Sequence, residues 1–250
     1  MGFQIENSGV KEEVIFSDKD IIEIFLPLLR ELTEIQRKAG RRILVMLAAP
    51  PGAGKSTLAA FLQQLSLRAS EYGEEDILPV TSISMDGFHH YQDYLLSHKT
   101  ILDGKEISLA KLKGAPNTYD LAHLQERIEK VKSLDKCGWP DYSRILHNPV
   151  EDAISVEGDI ILLEGNYFLL DRPEWAQIRS YADYTISLTM DEKPLRKRLV
   201  FRKTRGGMDQ EEAEQFVDRS DMRNVRTCLK ESVKADLNLR VLGDGEFTVI

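Results

Sequence analysis

The sequence is short of cysteine, of net positive charge and of long apolar runs. Its two cysteines, Cys137 and Cys228, lie far apart without metal-ligand spacing, which excludes a disulfide framework and suits a reducing compartment. Lys and Arg number 33 against 41 Asp and Glu, a formal charge of -8. Proteins whose main partner is a nucleic-acid backbone carry the opposite balance, so that class is excluded and any basic cluster here is local. No run approaches the roughly 18 apolar residues that span a bilayer. The opening MGFQIENSGVKEEVIF lacks a basic start followed by an apolar block, so no leader or membrane partner is expected and the protein reads as cytoplasmic. Gly2 follows Met1, but the myristoylation pattern needs Ser or Thr where Glu6 stands. Internal repeats and low-complexity tracts are absent.

What is present describes an ordinary globular chain. Of its 250 residues 42% are hydrophobic and 30% charged, enough to bury a full core within one α/β domain. Ile21, Ile24, Phe25, Leu28, Leu29, Leu32 and Ile35 recur at helical spacing, with Ser17 and Asp20 as a capping box and Gly40 as a stop. Pro27 inside this pattern predicts a kink or a break, and residues 1–40 read as a helical extension. RRILVMLAA, ILPVTSISM, DIILLEG and DYTISLTM are near-continuous apolar runs, the mark of strands buried on both faces, and EFTVI reads as a last strand. Between them STLAAFLQQLSLRA, DLAHLQERIEKVKSL and PLRKRLVFRKT are helical. Strands alternating with helices predict βαβ units in a doubly wound sheet. Residues 89–149 are rich in turns and polar aromatics and read as an insertion over one end of that sheet.

The first strand runs into AAPPGAGKST. A loop containing Pro51, Gly52, Ala53 and Gly54 turns sharply, and Lys55, Ser56 and Thr57 open a helix. Glycines allow backbone N–H groups to converge on an anion, and the helix amino terminus adds its positive end. In such a phosphate cradle Lys55 reaches the β and γ phosphates and the Ser56 hydroxyl ligates Mg²⁺. Ala49 stands where the strict motif has its first glycine.

A phosphate loop alone does not separate kinase, GTPase and mechanical ATPase. No N-K-x-D segment occurs, which favours adenine over guanine nucleotide. In SMDGFHHYQDY the carboxylate of Asp86 follows a strand beside the phosphate loop, placed to accept a proton from an attacking hydroxyl; the plain alternative is a turn-opening Asp before Gly87. DIILLEGNY ends an apolar strand in Glu164, the form expected of a second Mg²⁺ ligand. Arg198, Arg202 and Arg205 recur at i, i+4 and i+7 ahead of Gly206 and Gly207, a stripe suited to a lid over phosphates or else to a solvated helix face. His89 and His90 do not share a face, so His89 reads as a hydrogen-bond donor to substrate rather than a metal ligand.

Taken in order, AAPPGAGKST, SMDGFH, KGAPNTYD, PDYSRILHNP, EGNYFLLD and RLVFRKTRGG resemble the phosphoribulokinase / uridine kinase / pantothenate kinase group of P-loop kinases, over about Arg41 to Asn224, nearest its pantothenate-kinase-like branch. The resemblance implies a three-layer αβα sandwich with a mostly parallel central sheet and a helical lid over residues 191–210. It implies ATP and Mg²⁺ as cofactors, Asp86 as catalytic base, Ser56 and Glu164 at the metal, and Arg198 and Arg202 on the lid. Tyr142, Arg144 and Asn166 would help form the acceptor pocket. Lys113 and Asp120 join them by the same likeness, Asp120 equally fitting a helix cap. Relatives of this kind often pair as homodimers. The implied reaction transfers the γ-phosphoryl group to a hydroxyl of a small polar metabolite that is pantothenate-, nucleoside- or sugar-like. The alternative is an acceptor-independent ATPase with a regulatory or chaperone-like role.

Overall fold

The computed structural model describes residues 2–7, 10–71, 76–102, 104–242 and 245–250, with side chains described from Glu13 onward, residues 70 and 71 apart. The chain opens with an antiparallel hairpin, β1 (Gly2–Asn7) and β2 (Val10–Ile15). The extension is therefore helical only from Asp18, and the reason is visible in the sequence: no 3.6-residue spacing begins before Ile21. The Ser17 hydroxyl accepts from the Asp20 N–H at 3.0 Å. A turn of α-helix at Asp18–Asp20 and a π-helical turn at Ile21–Phe25 then lead into α1 (Leu26–Ala39). Pro27 stands in the first turn of α1, and the wider π turn just before it accommodates the missing donor without a break. Gly40 closes the helix at φ 62°.

β3 (Ile43–Ala48) is buried along its whole length and leads through the glycine-bearing loop to α2 (Lys55–Glu71) and β4 (Val80–Ser84). The segment predicted as an insertion holds α3 (Gln92–Ser97), a hairpin of β5 (Lys99–Leu102) with β6 (Lys105–Ser108), and α4 (Leu121–Ser133). A second hairpin follows, β7 (Cys137–Ser143) with β8 (Asn148–Val156), so the predicted boundary at 149 falls inside a strand. The chain then returns to the sheet with β9 (Ile160–Gly165), α5 (Pro173–Arg179) and β10 (Tyr184–Thr189). It continues through α6 (Glu192–Arg205), α7 (Gln210–Phe216), α8 (Met222–Glu231), β11 (Leu237–Val241) and β12 (Phe247–Val249).

The six-stranded sheet has the order β12-β11-β10-β3-β9-β4 and is parallel except for the β11–β12 pair. Each face carries its own apolar core. Helices α1, α2 and α6 cover one, with Leu32, Phe61 and Leu199 against Val45, Leu47 and Ile186. On the other, α4, α5 and the β7 strand put Leu124, Ile128, Trp175 and Trp139 against Met46, Ile161 and Leu163. This is a three-layer α/β sandwich in which β3 sits centrally, flanked by β9 and β10. The crevice at the carboxyl ends of these strands is where such sheets bind ligands. Among the described residues no helix is long and apolar enough to cross a membrane.

Candidate active site

The loop after β3 is anchored at both ends. Ala49 N–H donates to the Gly165 carbonyl at 3.2 Å, Ala53 N–H to the Pro50 carbonyl at 3.2 Å, and Leu58 N–H to the Gly54 carbonyl at 2.9 Å. Gly52 lies at φ 84°, and a β-carbon there would come within 3.1 Å of Leu199 Cγ on α6; glycine is needed on both counts. Ala49 carries no such demand, because among the described non-glycine residues only His147 and Asp152 have positive φ. Its methyl is buried instead. α2, a helix of 17 residues, begins at the end of this loop, and its positive amino-terminal end favours an anion there.

Lys55 and Ser56, at the head of α2, face Glu164 near the end of β9. Ser56 Oγ donates to Glu164 Oε1 at 2.8 Å, and Lys55 Nζ lies 3.7 Å from Oε2. The carboxylate is 4% exposed, and Oε2 has no hydrogen-bond partner. Burial pushes its pKa up, Lys55 opposes that, and Asp86 adds to it. A buried, incompletely satisfied carboxylate oxygen beside a hydroxyl is a hard-oxygen donor set that fits Mg²⁺. Among the described residues no three His, Cys, Asp or Glu side chains form a metal cage, so an ion here would draw its remaining ligands from nucleotide and water.

A cavity of about 550 Å³ opens beside the loop. Into it face Pro51, Lys55, Asp86 and His89, and from the remaining walls Lys113, Tyr142, Arg144, Asn166 and Arg202. Segments distant in sequence thus converge, and the fold shows how. Asp86 lies in a 3-10 turn, Met85–Phe88, directly after β4; the Ser84 hydroxyl accepts from Asp86 N–H at 3.2 Å. Trp139 Nε1 on β7 donates to the Ser84 carbonyl at 2.8 Å and pins that turn. His89 stacks on Tyr119 at 4.0 Å and meets Tyr142 edge-on at 5.7 Å. Burial lowers the His89 pKa more than the nearby Asp86 raises it, and its Nδ1 is shielded without a partner, so the ring enters the cavity neutral. Asn166, 9% exposed, also leaves its Oδ1 unpaired.

The α6 stripe divides. Arg198 Nη1 donates to the Ala53 carbonyl at 3.5 Å, and burial pulls this guanidinium's pKa down. Arg202 lines the cavity. Arg205 does not line it; its guanidinium lies 5.9 Å from the Phe201 ring. Gly52, Ala53, Gly54, Ser56 and Thr57 form the loop and first turn rather than the cavity wall. Asp120 caps α4, accepting from His123 N–H at 3.0 Å. The sequence reading missed Tyr119, Lys203, Asp221 and Asn224, all in the cavity wall. For Asp221 and Asn224 the available signal was their i, i+3 spacing in DRSDMRN, on the run that enters α8.

No family model matches the sequence. The Escherichia coli (strain K12) protein YggC is 36% identical over 99% of this chain and 98% of its own. A Schizosaccharomyces pombe protein named "Putative uridine kinase C227.14" is 33% identical over 82% of this chain and 86% of its own. The crystal structure of a "putative fructose transport system kinase" from Silicibacter sp. TM1040 matches with a TM-score of 0.71 at 28% identity, over 84% of this chain and 98% of that one. With its ordered motifs, its parallel sheet and its phosphate loop, the chain belongs to the phosphoribulokinase / uridine kinase / pantothenate kinase group of P-loop kinases.

Proposed function

We propose that this kinase transfers the γ-phosphoryl group of ATP to a hydroxyl of a small polar metabolite. The observation that carries this reading is that Lys55 and Asp86 line one cavity beside the glycine-bearing loop. In the proposed reaction the loop N–H groups and Lys55 hold the nucleotide's terminal phosphates. Ser56 and Glu164 would hold Mg²⁺, which when bound neutralises charge on the β and γ oxygens. Asp86 orients the acceptor hydroxyl and takes its proton as oxygen attacks phosphorus. Neutral His89 and the Asn166 amide fix the acceptor by hydrogen bonds. Arg198, already on the loop, and Arg202, over the cavity, stabilise spreading negative charge as α6 closes and excludes water.

The test is acceptor dependence. ADP release is measured with MgATP alone and with pantothenate, nucleosides, pentoses, hexoses, sugar phosphates and glycerate. The proposal expects at least one acceptor to raise the rate by about tenfold or more, the minimum gain of a positioned hydroxyl over water. A rate indifferent to every acceptor contradicts it and favours acceptor-independent hydrolysis.

A further inference from the structure

The cavity's charge does not match the chain's. In a protein of net charge -8, its walls carry Lys55, Lys113, Arg144, Arg202 and Lys203 against only Asp86 and Asp221. Two of these cations have partners of their own: Lys55 lies against Glu164, and Lys203 sits 3.9 Å from Asp221 and 4.1 Å from the Phe216 ring centroid. Arg202 is assigned to the nucleotide's phosphates by the reading above. Lys113 and Arg144 remain. Both come from the segments around α4 and the β7–β8 hairpin, not from the loop or α6.

Neither has a carboxylate. Lys113 Nζ donates to Gln92 Oε1 at 3.3 Å and to the His147 carbonyl at 3.1 Å, and lies 4.8 Å from the Tyr142 ring centroid. All three partners are neutral. His147 holds a left-handed φ of 51° while presenting that carbonyl, a backbone state that persists only where its surroundings fix it. Among the described residues Arg144 has no hydrogen bond or ion pair, although it faces the same space. A lysine oriented by neutral groups and an unpaired guanidinium in the wall of the same cavity form a preset anion seat: both supply charge-assisted donors, and the guanidinium fork fits two oxygens at once.

We propose, resting on the kinase reading above, that the acceptor carries an anionic group, a carboxylate or a phosphate monoester, held between Lys113 and Arg144 while its hydroxyl lies at Asp86. Binding at one end and reaction at the other would make the charge a specificity element. A neutral analogue would leave both cations unanswered, which discriminates strongly against it.

Kinetics with matched acceptors test this: a neutral polyol, the corresponding aldonate and the corresponding phosphate monoester. The charged member should give a kcat/KM about tenfold or more above the neutral one, and whether aldonate or phosphate gains identifies the anion. Arg144→Gln should raise KM for the charged acceptor by about ten- to a hundredfold with kcat within about threefold, and Arg144→Lys should recover part of the loss. Arg144 is exposed and unpaired, so its replacement leaves the fold intact. Equal kcat/KM for neutral and charged acceptors, or a KM unmoved in Arg144→Gln, overturns the proposal. Calorimetric binding of inorganic phosphate and of the aldonate, with the nucleotide site filled by a non-hydrolysable ATP analogue, gives a second readout. Binding that weakens in Arg144→Gln supports the anion seat even where no acceptor drives turnover, an outcome that removes only the kinase reading. No binding by either anion contradicts the seat itself.

Discussion

The surroundings of Glu164 disfavour its ionised form. Burial raises its pKa, and Lys55 only partly offsets this. A carboxyl whose pKa is higher folded than unfolded favours the fold below the unfolded pKa and loses that contribution as pH rises towards the folded value. At neutral pH the nucleotide-free protein therefore carries a penalty that a neutral amide would not. Glu164→Gln should raise the apo Tm at pH 7 by about 2–4 °C per kcal/mol relieved. The gain should shrink as pH falls towards the ordinary carboxylate range, while Mg²⁺-dependent turnover drops by orders of magnitude. Thermal unfolding from pH 4 to 8 checks the first part and steady-state kinetics the second; an unchanged apo Tm would mean Lys55 fully offsets burial, and a lowered one that it outweighs it. At this scale Lys55, Ser56, Asp86 and Glu164 were legible because each closes a strand or opens a helix within an ordered motif. Lys203, Asp221 and Asn224 were not, since they are ordinary helical polar residues until α6 and α8 bring them to the cavity.

The 3-10 turn that carries Asp86 depends on a neighbouring strand. A β-carbon at Gly87 would fall 2.2 Å from the Pro140 carbonyl oxygen on β7, so here glycine serves close approach rather than an unusual φ. Gly87→Ala should push turn and strand apart, costing about 1–3 kcal/mol of stability and lowering kcat/KM by tenfold or more, about 1.4 kcal/mol of misplaced catalytic geometry. Nucleotide affinity, which the proposed function assigns to the phosphate loop, should be unchanged. Denaturant melts and nucleotide titrations separate these effects. A loss confined to stability would mean Asp86 tolerates the shift. β4 and β10 keep half-buried Thr and Ser positions between their apolar ones, whereas β3 and β9 were legible because every residue of each is buried, which leaves no polar alternation. β11 was not, because Leu237, Leu239 and Val241 alternate with Asn238 and Arg240 in a run too polar to resemble its neighbours. The amino-terminal hairpin escaped for another reason: only its first half, Phe3 to Glu6, alternates, and VKEEVI does not.

Over the whole molecule, nucleotide binding should reinforce contacts that already link α2 to β9 through Ser56 and Glu164 and α6 to the loop through Arg198. MgATP at about a hundred times its Kd stabilises by about 2.7 kcal/mol, which for a chain of this size is about 5–10 °C in Tm. Lys55→Met should lose most of that shift and also lower the apo Tm, because Glu164 is left without its cation; an undiminished shift would move the nucleotide away from the loop. The most direct measurement compares wild type with Asp86→Asn, recording acceptor-stimulated ADP formation and nucleotide affinity on the same preparations. If Asp86 takes the acceptor's proton, stimulated turnover falls by about 100- to 10,000-fold and the nucleotide Kd stays within about threefold. Turnover near wild type in Asp86→Asn would contradict that role for Asp86.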